Sequence, residues 1–200
     1  GAKRGCDVPS YPAAIGERPT CDDALGDLPD AETFEELRMS DSVKTSAFGI
    51  PSKYAEALRG LGNDAWAFGY PRKWDPNRLT SSARTEHTEI SRRRFQETEQ
   101  GRVEPISRLF KLPVDGVSNT LRAGTDSARG AFTSPRPIHY AYARCVTVRE
   151  MARLHGFPDW LRFNVTKWHG ARQIGNAVPP PLARAVASAL IRALGVNPTR

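Results

Sequence analysis

The stretch "VTVREMARLHGFPDWLRF", residues 146–163, carries nearly every local signal of a short, capped helix. Thr147 and Glu150 have the spacing of a capping box, in which the hydroxyl and the carboxylate each accept a hydrogen bond from the other residue's backbone amide. Gly156 suits the C-terminal cap, and Pro158 prevents the helix from continuing. We therefore predict a helix that begins after Thr147 and ends at Gly156.

Two arginines of this predicted helix, Arg149 and Arg153, lie four residues apart on one face. Like charges at this spacing repel by ~0.2–0.5 kcal/mol unless something compensates them. The acceptors are either backbone carbonyls and acidic residues within the fold or phosphate groups of DNA.

A second informative stretch is "RQIGNAVPPPLARAVASAL", residues 172–190, which places three prolines directly before an alanine-rich helix. Proline is well tolerated at a helix start, where its missing N–H has no helical partner anyway. Gly175 and Asn176 suit a tight turn before it. Gly195 is the expected stop. The helix carries an apolar stripe opposite Arg184, Ser188 and Arg192, formed by Leu182, Ala185, Val186, Ala189, Leu190, Ala193 and Leu194. The sequence offers no convincing multi-stranded parallel sheet to receive that stripe.

The charge of the chain is uneven. Residues 1–100 contain 14 Lys and Arg against 17 Asp and Glu, whereas residues 101–200 contain 15 against 5. Arginine, which dominates the basic half, suits bidentate contacts to phosphates and guanine edges. This favours a polyanion as a partner, although arginines that simply solvate a small surface would give the same composition.

The rest of the chain predicts short elements joined by turns. We expect a helix capped by Thr20 that stops before Pro29, a second helix in residues 51–62 that ends at Gly60 or Gly62, and an irregular loop over residues 63–82. Residues 87–101 have helical composition with balanced charges, typical of a solvated face. The β-prone pieces "SNTLRA" and "IHYAYARCVTV" predict strands on either side of a basic loop, residues 124–137.

Several classes of protein are disfavoured. The three cysteines, Cys6, Cys21 and Cys145, are far apart and lack C-x-x-C spacing, so the sequence supports neither a disulfide framework nor a metal site. No apolar run approaches the ~18 residues of a membrane span, and the N-terminus lacks a signal-peptide core. We expect a soluble protein in a prokaryotic cytoplasm.

Residues 146–163 and 172–190 together resemble the last two sequence motifs of DNA (cytosine-5) methyltransferases, in the same order and at similar spacing. The "SNTLRAGT" segment resembles the Thr-Leu segment of the family's target-recognition region, and "PTCDDALGDLPD" resembles the segment after the eighth motif. The likeness is firm over residues 106–194 and looser before them.

The resemblance implies an α+β fold: a small, mixed target-recognition domain of short strands and helices, plus a C-terminal helix that packs on a Rossmann-like α/β methyltransferase domain. Residues 1–30 would follow the eighth motif, residues 31–146 would form the target-recognition domain, and residues 147–200 would hold the ninth and tenth motifs. The Gly-rich loop that binds S-adenosylmethionine, the Pro-Cys nucleophile and the Glu-Asn-Val segment of the family have no counterpart in this sequence. The chain therefore looks like the C-terminal half of such an enzyme, without a catalytic residue of its own.

In the family's chemistry a thiolate adds to C6 of cytosine, a glutamic acid stabilises charge at N3, and C5 takes a methyl group from S-adenosylmethionine. Because none of this is possible inside a stacked duplex, the cytosine must be flipped out and the vacancy held open. The resemblance implies that this chain supplies one wall of the cleft around double-stranded DNA and that the catalytic half, on the same or a separate polypeptide, supplies the other.

The resemblance also suggests the site residues. Thr120 and Leu121 would lie at the DNA surface near the target nucleotide. Asn176 and Ala177 would border the S-adenosylmethionine pocket, which the catalytic half completes. Arg149 and Arg153 resemble structural arginines that support the recognition loops. The basic residues that we expect to contact base edges or phosphates are Arg122, Arg129 and Arg136.

Two other hypotheses remain open from the sequence. The chain could be a non-catalytic, sequence-specific DNA-binding module, or a basic globular domain with other partners. The exposed stripe of the last helix argues against a pure binding module, because without a catalytic domain it would be an aggregation hazard.

Overall fold

The computed structural model describes residues 4–5, 7–14, 16, 18–61, 74–124 and 136–196. The chain divides into two compact units: Pro19–Ala177 forms one, and Gly1–Arg18 together with Val178–Arg200 forms the other. The larger unit takes in parts of all three segments expected from the sequence, 1–30, 31–146 and 147–200.

Helices provide most of the regular structure in the described residues. The α-helices are α1 (Cys21–Leu25), α2 (Lys53–Arg59), α3 (Glu89–Glu97), α4 (Val148–Leu154), α5 (Lys167–Gly175) and α6 (Pro180–Leu194), and the 3₁₀ turns are Ala31–Thr33 and Glu35–Arg38.

The helix starts and helix ends that the sequence predicts are present in the structure. Thr20 forms a capping box with Asp23 at the start of α1, and Thr147 forms one with Glu150 at the start of α4. Gly60 ends α2 in the left-handed conformation, and Gly156 follows α4 with a φ of 83°. The helices expected from these signals are therefore confirmed.

Helix α5 was not expected from the sequence. Its residues include Trp168, Gly170 and Gly175, which are poor helix formers, and its N-cap Thr166 makes no side-chain capping bond. Tertiary packing compensates, because Gly170 lies so close to α4 that a Cβ atom there would be 2.8 Å from Val148 Cγ1. The tight turn expected at Gly175 and Asn176 is instead the end of this helix.

The sheet is minimal. Strand β1 (Val43–Lys44) pairs antiparallel with β2 (Arg78–Leu79), with Val43 opposite Leu79 and Lys44 opposite Arg78. Strand β2 falls inside the span 63–82, for which we expected an irregular loop. The mixed α+β character is confirmed at this coarse level.

The strands expected in "SNTLRA" and "IHYAYARCVTV" are absent, so that prediction was wrong for the described residues. Residues 118–124 have no regular structure, and in the second piece only isolated bridges form, pairing Ile138 with Lys111 and with Cys145. β-Propensity describes how well a side chain fits a pleated surface with paired neighbours. Here no neighbouring strand extends the pairing, and the chain turns back at once where His139 N–H bonds to the Arg144 carbonyl.

The core of the larger unit lies where α1, α4 and α5 pack together, with α2 against α1. Apolar side chains from distant parts of the sequence meet there, and the completely buried ones are Leu37, Leu112, Val146, Met151, Ala152 and Ile174. This core fixes the position of α4 and of the loops around it.

Helix α6 belongs to the smaller unit. Prolines occupy its first positions and Gly195 ends it in the left-handed conformation, as expected. Ala189 is buried, whereas the large residues of the apolar stripe are exposed: Leu182, Val186, Leu190 and Leu194. Within the described residues, no helix has the length and apolar character needed to cross a membrane.

Candidate nucleic-acid interface

Three arginines, Arg144, Arg149 and Arg153, are almost completely buried in the larger unit, with at most 1% of their surface exposed. Arginine is rarely buried to this extent unless its charge is paired and its donors are satisfied. Each of the three has a different set of acceptors, and together they connect α4 to the segments around it.

Arg144 pairs with Glu150 of the capping box. Its Nη1 and Nη2 atoms each lie 2.8 Å from one carboxylate oxygen of Glu150, and its Nε and Nη2 also donate to Asp30 Oδ1. Burial raises the pKa of Glu150, but the Arg144 charge and hydrogen bonds lower it to about 2. Glu150 is therefore ionised and serves the helix cap and the arginine together.

Arg149 is satisfied mainly by uncharged oxygen atoms. Its guanidinium donates to the carbonyls of Thr80, Pro158 and Leu161 and to Thr80 Oγ1. Asp159 is nearby, at 3.6 Å. Burial lowers the pKa of Arg149 to about 10. This arginine ties α4 to the segments on either side of it.

Arg153 has two carboxylate partners. It donates from Nε and Nη2 to both oxygens of Asp159, at 2.6 and 2.7 Å, and from Nη1 to Asp27 and to the Ala24 carbonyl. In addition, Tyr54 donates its hydroxyl to the Arg153 carbonyl. The Arg153 guanidinium thus joins the end of α1 and the residue Asp27 to the Asp159 loop, and the Arg153 carbonyl adds α2 through Tyr54.

The segment expected at the DNA surface has one buried residue between two exposed ones. Thr120 and Arg122 are exposed, and Arg122 forms no ion pair within the part of the chain that the structure describes. Leu121 is only 8% exposed and packs into the main core. The side chain of Leu121 therefore anchors the segment and does not face outward, which differs from our expectation that it lies at the surface.

Helix α5 ends directly against this segment. A Cβ atom at Gly175 would lie 2.4 Å from Ala123 N and 2.7 Å from the Arg122 carbonyl oxygen. The chain then continues to Asn176 and Ala177, so the residues expected to border a cofactor follow immediately after the residue that touches the Thr120–Arg122 segment.

Asn176 and Ala177 offer few free polar groups to a cofactor. Their backbone N–H groups donate to the Arg172 and Ile174 carbonyls, and the Ala177 carbonyl accepts a hydrogen bond from His155 Nε2 at 2.9 Å. Asn176 is exposed. These residues fit one edge of a cofactor site, through the Asn176 amide group and the Ala177 methyl group.

The structure describes only one of the two arginines that we expected in the basic loop. Arg129 lies outside the described residues. Arg136 is 6% exposed, and it donates to the Val146 carbonyl at 2.8 Å and to Thr85 Oγ1 at 2.9 Å. Burial lowers the pKa of Arg136. A guanidinium in this position cannot reach DNA without giving up both partners, so the expected contact from Arg136 is corrected to a position inside the protein.

Sequence reasoning missed the exposed turn at residues 104–109. The buried Glu104 carboxylate accepts hydrogen bonds from the N–H groups of Ile106 and Ser107, while Glu104 N–H donates to the Leu109 carbonyl. Arg108 has a φ of 61°, which is unusual for a residue other than glycine. Ile106 is 71% exposed. The Glu-Pro pair at residues 104–105 is the signal that could have indicated this turn.

The position of the turn follows from one backbone bridge. Lys111 and Ile138 pair in parallel, so the residues that precede each of them lie at the same end of the bridge. The turn therefore emerges at the same end as Arg136. Arg108 is exposed in the turn, Arg102 is exposed before it beside Lys111, and neither arginine forms an ion pair within the described ranges.

Comparison with known proteins identifies relatives of the chain. The profile of the family described as C-5 cytosine-specific DNA methylase matches residues 30–192. Type II methyltransferase M.XorII from Xanthomonas oryzae pv. oryzae is 56% identical over the whole chain, which covers 47% of that protein. DNA (cytosine-5)-methyltransferase 1 from Mus musculus is 55% identical over 53 residues, which are 26% of this chain and 3% of the mouse protein.

A solved structure from E. coli, described as a DNA modification methyltransferase encoded within a prophage, is also similar. It superposes with a TM-score of 0.70 at 30% identity, over 96% of this chain and 52% of that one. The chain thus spans about half the length of M.XorII and of this E. coli protein.

Proposed function

Because the chain belongs to the C-5 cytosine-specific DNA methylase family, we propose that it is the DNA-recognition portion of a DNA (cytosine-5) methyltransferase. The whole enzyme would act in a bacterial cytoplasm on a cytosine flipped out of double-stranded DNA. The nucleophilic cysteine and the catalytic glutamate would come from the other half of the enzyme, on the same or a separate polypeptide.

Flipping explains why a separate recognition portion is needed. Extruding a base costs a few kcal/mol, and contacts from both sides of the cleft must offset that cost. S-adenosylmethionine, when bound, would supply the methyl group. This chain would hold the duplex in register and keep water and the opposite strand away from the reacting base.

The observation that carries the proposal is the arrangement around Leu121. Its buried side chain anchors a segment whose neighbours, Thr120 and Arg122, both face solvent. A segment held this way presents two donor side chains with little freedom, which suits contacts to phosphates and base edges. Arg122 would contact a phosphate or a base edge, and Thr120 would lie beside the target nucleotide.

The buried arginines support this proposal indirectly. Their hydrogen bonds hold α4 and the surrounding loops in one arrangement, and no exposed donor is left on Arg149 or Arg153 to contact DNA. We assign both residues a supporting role beneath the recognition surface.

The turn at residues 104–109 and the residue Arg102 before it would supply a second DNA contact. Arg102 and Arg108 would bond to phosphates, since neither has an ionic partner among the described residues. Arg129, which the structure does not describe, stays a candidate for base or phosphate contact.

The exposed stripe of α6 provides the contact with the catalytic half. Leu182, Val186, Leu190 and Leu194 each expose 42–63% of their surface on one helix face. Contiguous apolar residues of this kind mark an interaction site. We infer that this face packs against the catalytic domain. Separately, Asn176 and Ala177 of the larger unit would border the S-adenosylmethionine pocket that the catalytic domain completes.

A hybrid enzyme tests the proposal directly. In M.XorII the region that matches this chain is replaced by residues 1–200, and transfer of labelled methyl groups to duplex DNA is measured. We expect the hybrid to methylate DNA, whereas the 200-residue chain alone should bind duplex DNA without methylating it.

The outcomes separate the two functional hypotheses. A hybrid that methylates DNA supports the methyltransferase assignment. If the chain binds specific DNA tightly by itself while every hybrid is inactive, the alternative of a non-catalytic DNA-binding module is favoured. If neither protein binds DNA, the proposed function is wrong.

A further inference from the structure

Gly175 is the last residue of α5, and its conformation does not require glycine, because its φ lies outside the left-handed region. The reason for glycine is space. Three backbone atoms of the facing segment, Arg122 C, Arg122 O and Ala123 N, lie 2.4–2.7 Å from the position that a Cβ atom would occupy. Real Cβ atoms do not approach other atoms this closely, so any side chain at residue 175 must push the two backbones apart.

The helix cannot move to relieve such a contact. Ile174, the residue before Gly175, is completely buried in the main core. Five residues earlier, Gly170 is pressed against Val148 and against the Asn164 carbonyl, at 2.8 and 2.9 Å from a Cβ position. Close-packed interiors transmit such displacements and do not absorb them.

The residues after Gly175 are fixed as well. Asn176 N–H and Ala177 N–H bond back to α5, and the Ala177 carbonyl is held by His155 at the end of α4. The facing segment has a single buried anchor, Leu121, and residues 118–124 have no regular secondary structure. Of the two surfaces that meet at Gly175, the Thr120–Arg122 segment is therefore the one that would yield.

We propose that Gly175 is a positioning residue for DNA recognition. It sets the distance between the Thr120–Arg122 segment and the end of α5. This inference rests on the proposed function, because it assumes that the segment contacts DNA. In this role Gly175 would act through the segment and not by contacting DNA or cofactor itself. It lies directly against the segment and is followed in the chain by Asn176 and Ala177, so it fixes the distance between the segment and these two residues.

The matched pair Gly175→Ala and Gly170→Ala tests the inference. Both substitutions add one methyl group to a crowded position of the same helix, but only the first faces the Thr120–Arg122 segment. Each variant is prepared as the 200-residue chain, for thermal unfolding and DNA binding, and as the M.XorII hybrid, for steady-state kinetics below its own melting temperature.

We expect both variants to lower the melting temperature. Only Gly175→Ala should raise the KM for DNA, by about tenfold or more, since a shift of ~1 Å in a positioning element can change rates by up to two orders of magnitude. The KM for S-adenosylmethionine should stay within about twofold in both variants, because Asn176 and Ala177 follow α5 and are held by their own hydrogen bonds to α5 and to His155.

Leu121→Ala keeps the inference testable even if Gly175→Ala does not fold. This change loosens the segment from the core without altering a residue of α5, and it should also raise the KM for DNA while the KM for S-adenosylmethionine stays within about twofold. The inference is overturned if Leu121→Ala or a folded Gly175→Ala binds DNA like the unchanged chain, or if Gly170→Ala raises the KM for DNA equally.

Failure of the inference can be told apart from failure of the proposed function. A hybrid of the unchanged chain that neither binds nor methylates DNA overturns the proposed function and the inference with it. An active hybrid in which Gly175→Ala and Gly170→Ala behave alike overturns the inference alone.

Discussion

Arg144 and Glu150 form a buried, bidentate ion pair, with each terminal guanidinium nitrogen 2.8 Å from one carboxylate oxygen. Glu150 simultaneously accepts a hydrogen bond from Thr147 N–H at the start of α4. The pair therefore links the helix cap to the segment that precedes it. Since the pKa of Glu150 falls from 4.5 to about 2, its stabilising contribution is complete above pH 4.5 and is lost as the pH falls towards 2.

Removing one partner of this pair should destabilise the protein strongly. Arg144→Ala leaves Glu150 as an uncompensated buried charge, so we expect the free energy of unfolding to fall by ~3–5 kcal/mol. Urea denaturation at pH 7 measures this. Arg93→Ala is the control, because the Arg93–Glu97 pair is exposed on α3 and should contribute less than ~0.5 kcal/mol. Equal losses in the two variants would contradict the structural role of Arg144.

His139 should make stability depend on pH in the mildly acidic range. Burial lowers its pKa from 6.5 to about 4, and Glu150 and Arg144 are the charged groups beside it. Between these pH values the unfolded chain binds a proton that the folded protein excludes. Stability is therefore complete above pH 6.5 and falls as the pH drops towards 4.

We expect His139→Gln to reduce the slope of the free energy of unfolding against pH, in this range, by up to ~1.4 kcal/mol per pH unit. The measurement is urea denaturation at several pH values between 4 and 7.5. An unaltered slope in His139→Gln would show that His139 is protonated in the folded protein.

Arg149 should be needed for folding and not for direct DNA contact. Arg149→Ala leaves the Thr80, Pro158 and Leu161 carbonyls without their buried donor, which we expect to cost about 3 kcal/mol or more. Thermal unfolding followed by circular dichroism checks this. A stable Arg149→Ala protein with unchanged DNA binding would contradict the supporting role.

The arginines that we propose to contact DNA should account for part of the salt dependence of DNA binding. Arg122→Ala, Arg108→Ala and Arg129→Ala should each weaken binding, and loss of one phosphate contact should reduce the slope of log K against log salt by about 1. Fluorescence anisotropy with duplex DNA at several salt concentrations measures both quantities.

A change in sequence preference would instead indicate base contact by the substituted arginine. The control is Arg93→Ala, which removes an exposed arginine whose charge is already paired with Glu97. If a variant matches the unchanged chain in affinity, salt slope and sequence preference, that arginine makes no DNA contact.

The apolar face of α6 should make the isolated chain self-associate. Leu182→Gln combined with Leu190→Gln removes half of the exposed large side chains on this face, so sedimentation should show less association while the melting temperature changes little. In the M.XorII hybrid the same variant should lose methyl transfer, because α6 no longer docks. Arg192→Gln, on the opposite side of the helix, should have neither effect.

The helix boundaries were predictable because capping is local. Thr147 and Glu150 satisfy each other's amides over four residues, and Gly156 ends α4 wherever the helix lies in the fold. By contrast, α5 and the missing strands depended on distant groups. Gly170 packs on Val148, and residues 138–147 had no extended strand beside them to pair with.

The candidate site, too, could be predicted only in part from the sequence. The sequence pointed to the Thr120–Arg122 segment and to Asn176 and Ala177, but it could not distinguish the buried Leu121 and Arg136 from the exposed Arg122. Nor could it show that Arg149 and Arg153 donate to partners inside the fold. The exposed turn around Arg108 was missed because its rigidity comes from the burial of Glu104.

By itself, the sequence determined the starts and ends of the capped helices, the apolar stripe of α6 and the family resemblance of the last two motifs, because each depends on residue types at short, fixed spacing. Only the tertiary structure decided which arginines are available to DNA and why residue 175 is glycine. Exposure and backbone approach depend on which distant segments pack together, and that information is spread over the whole chain.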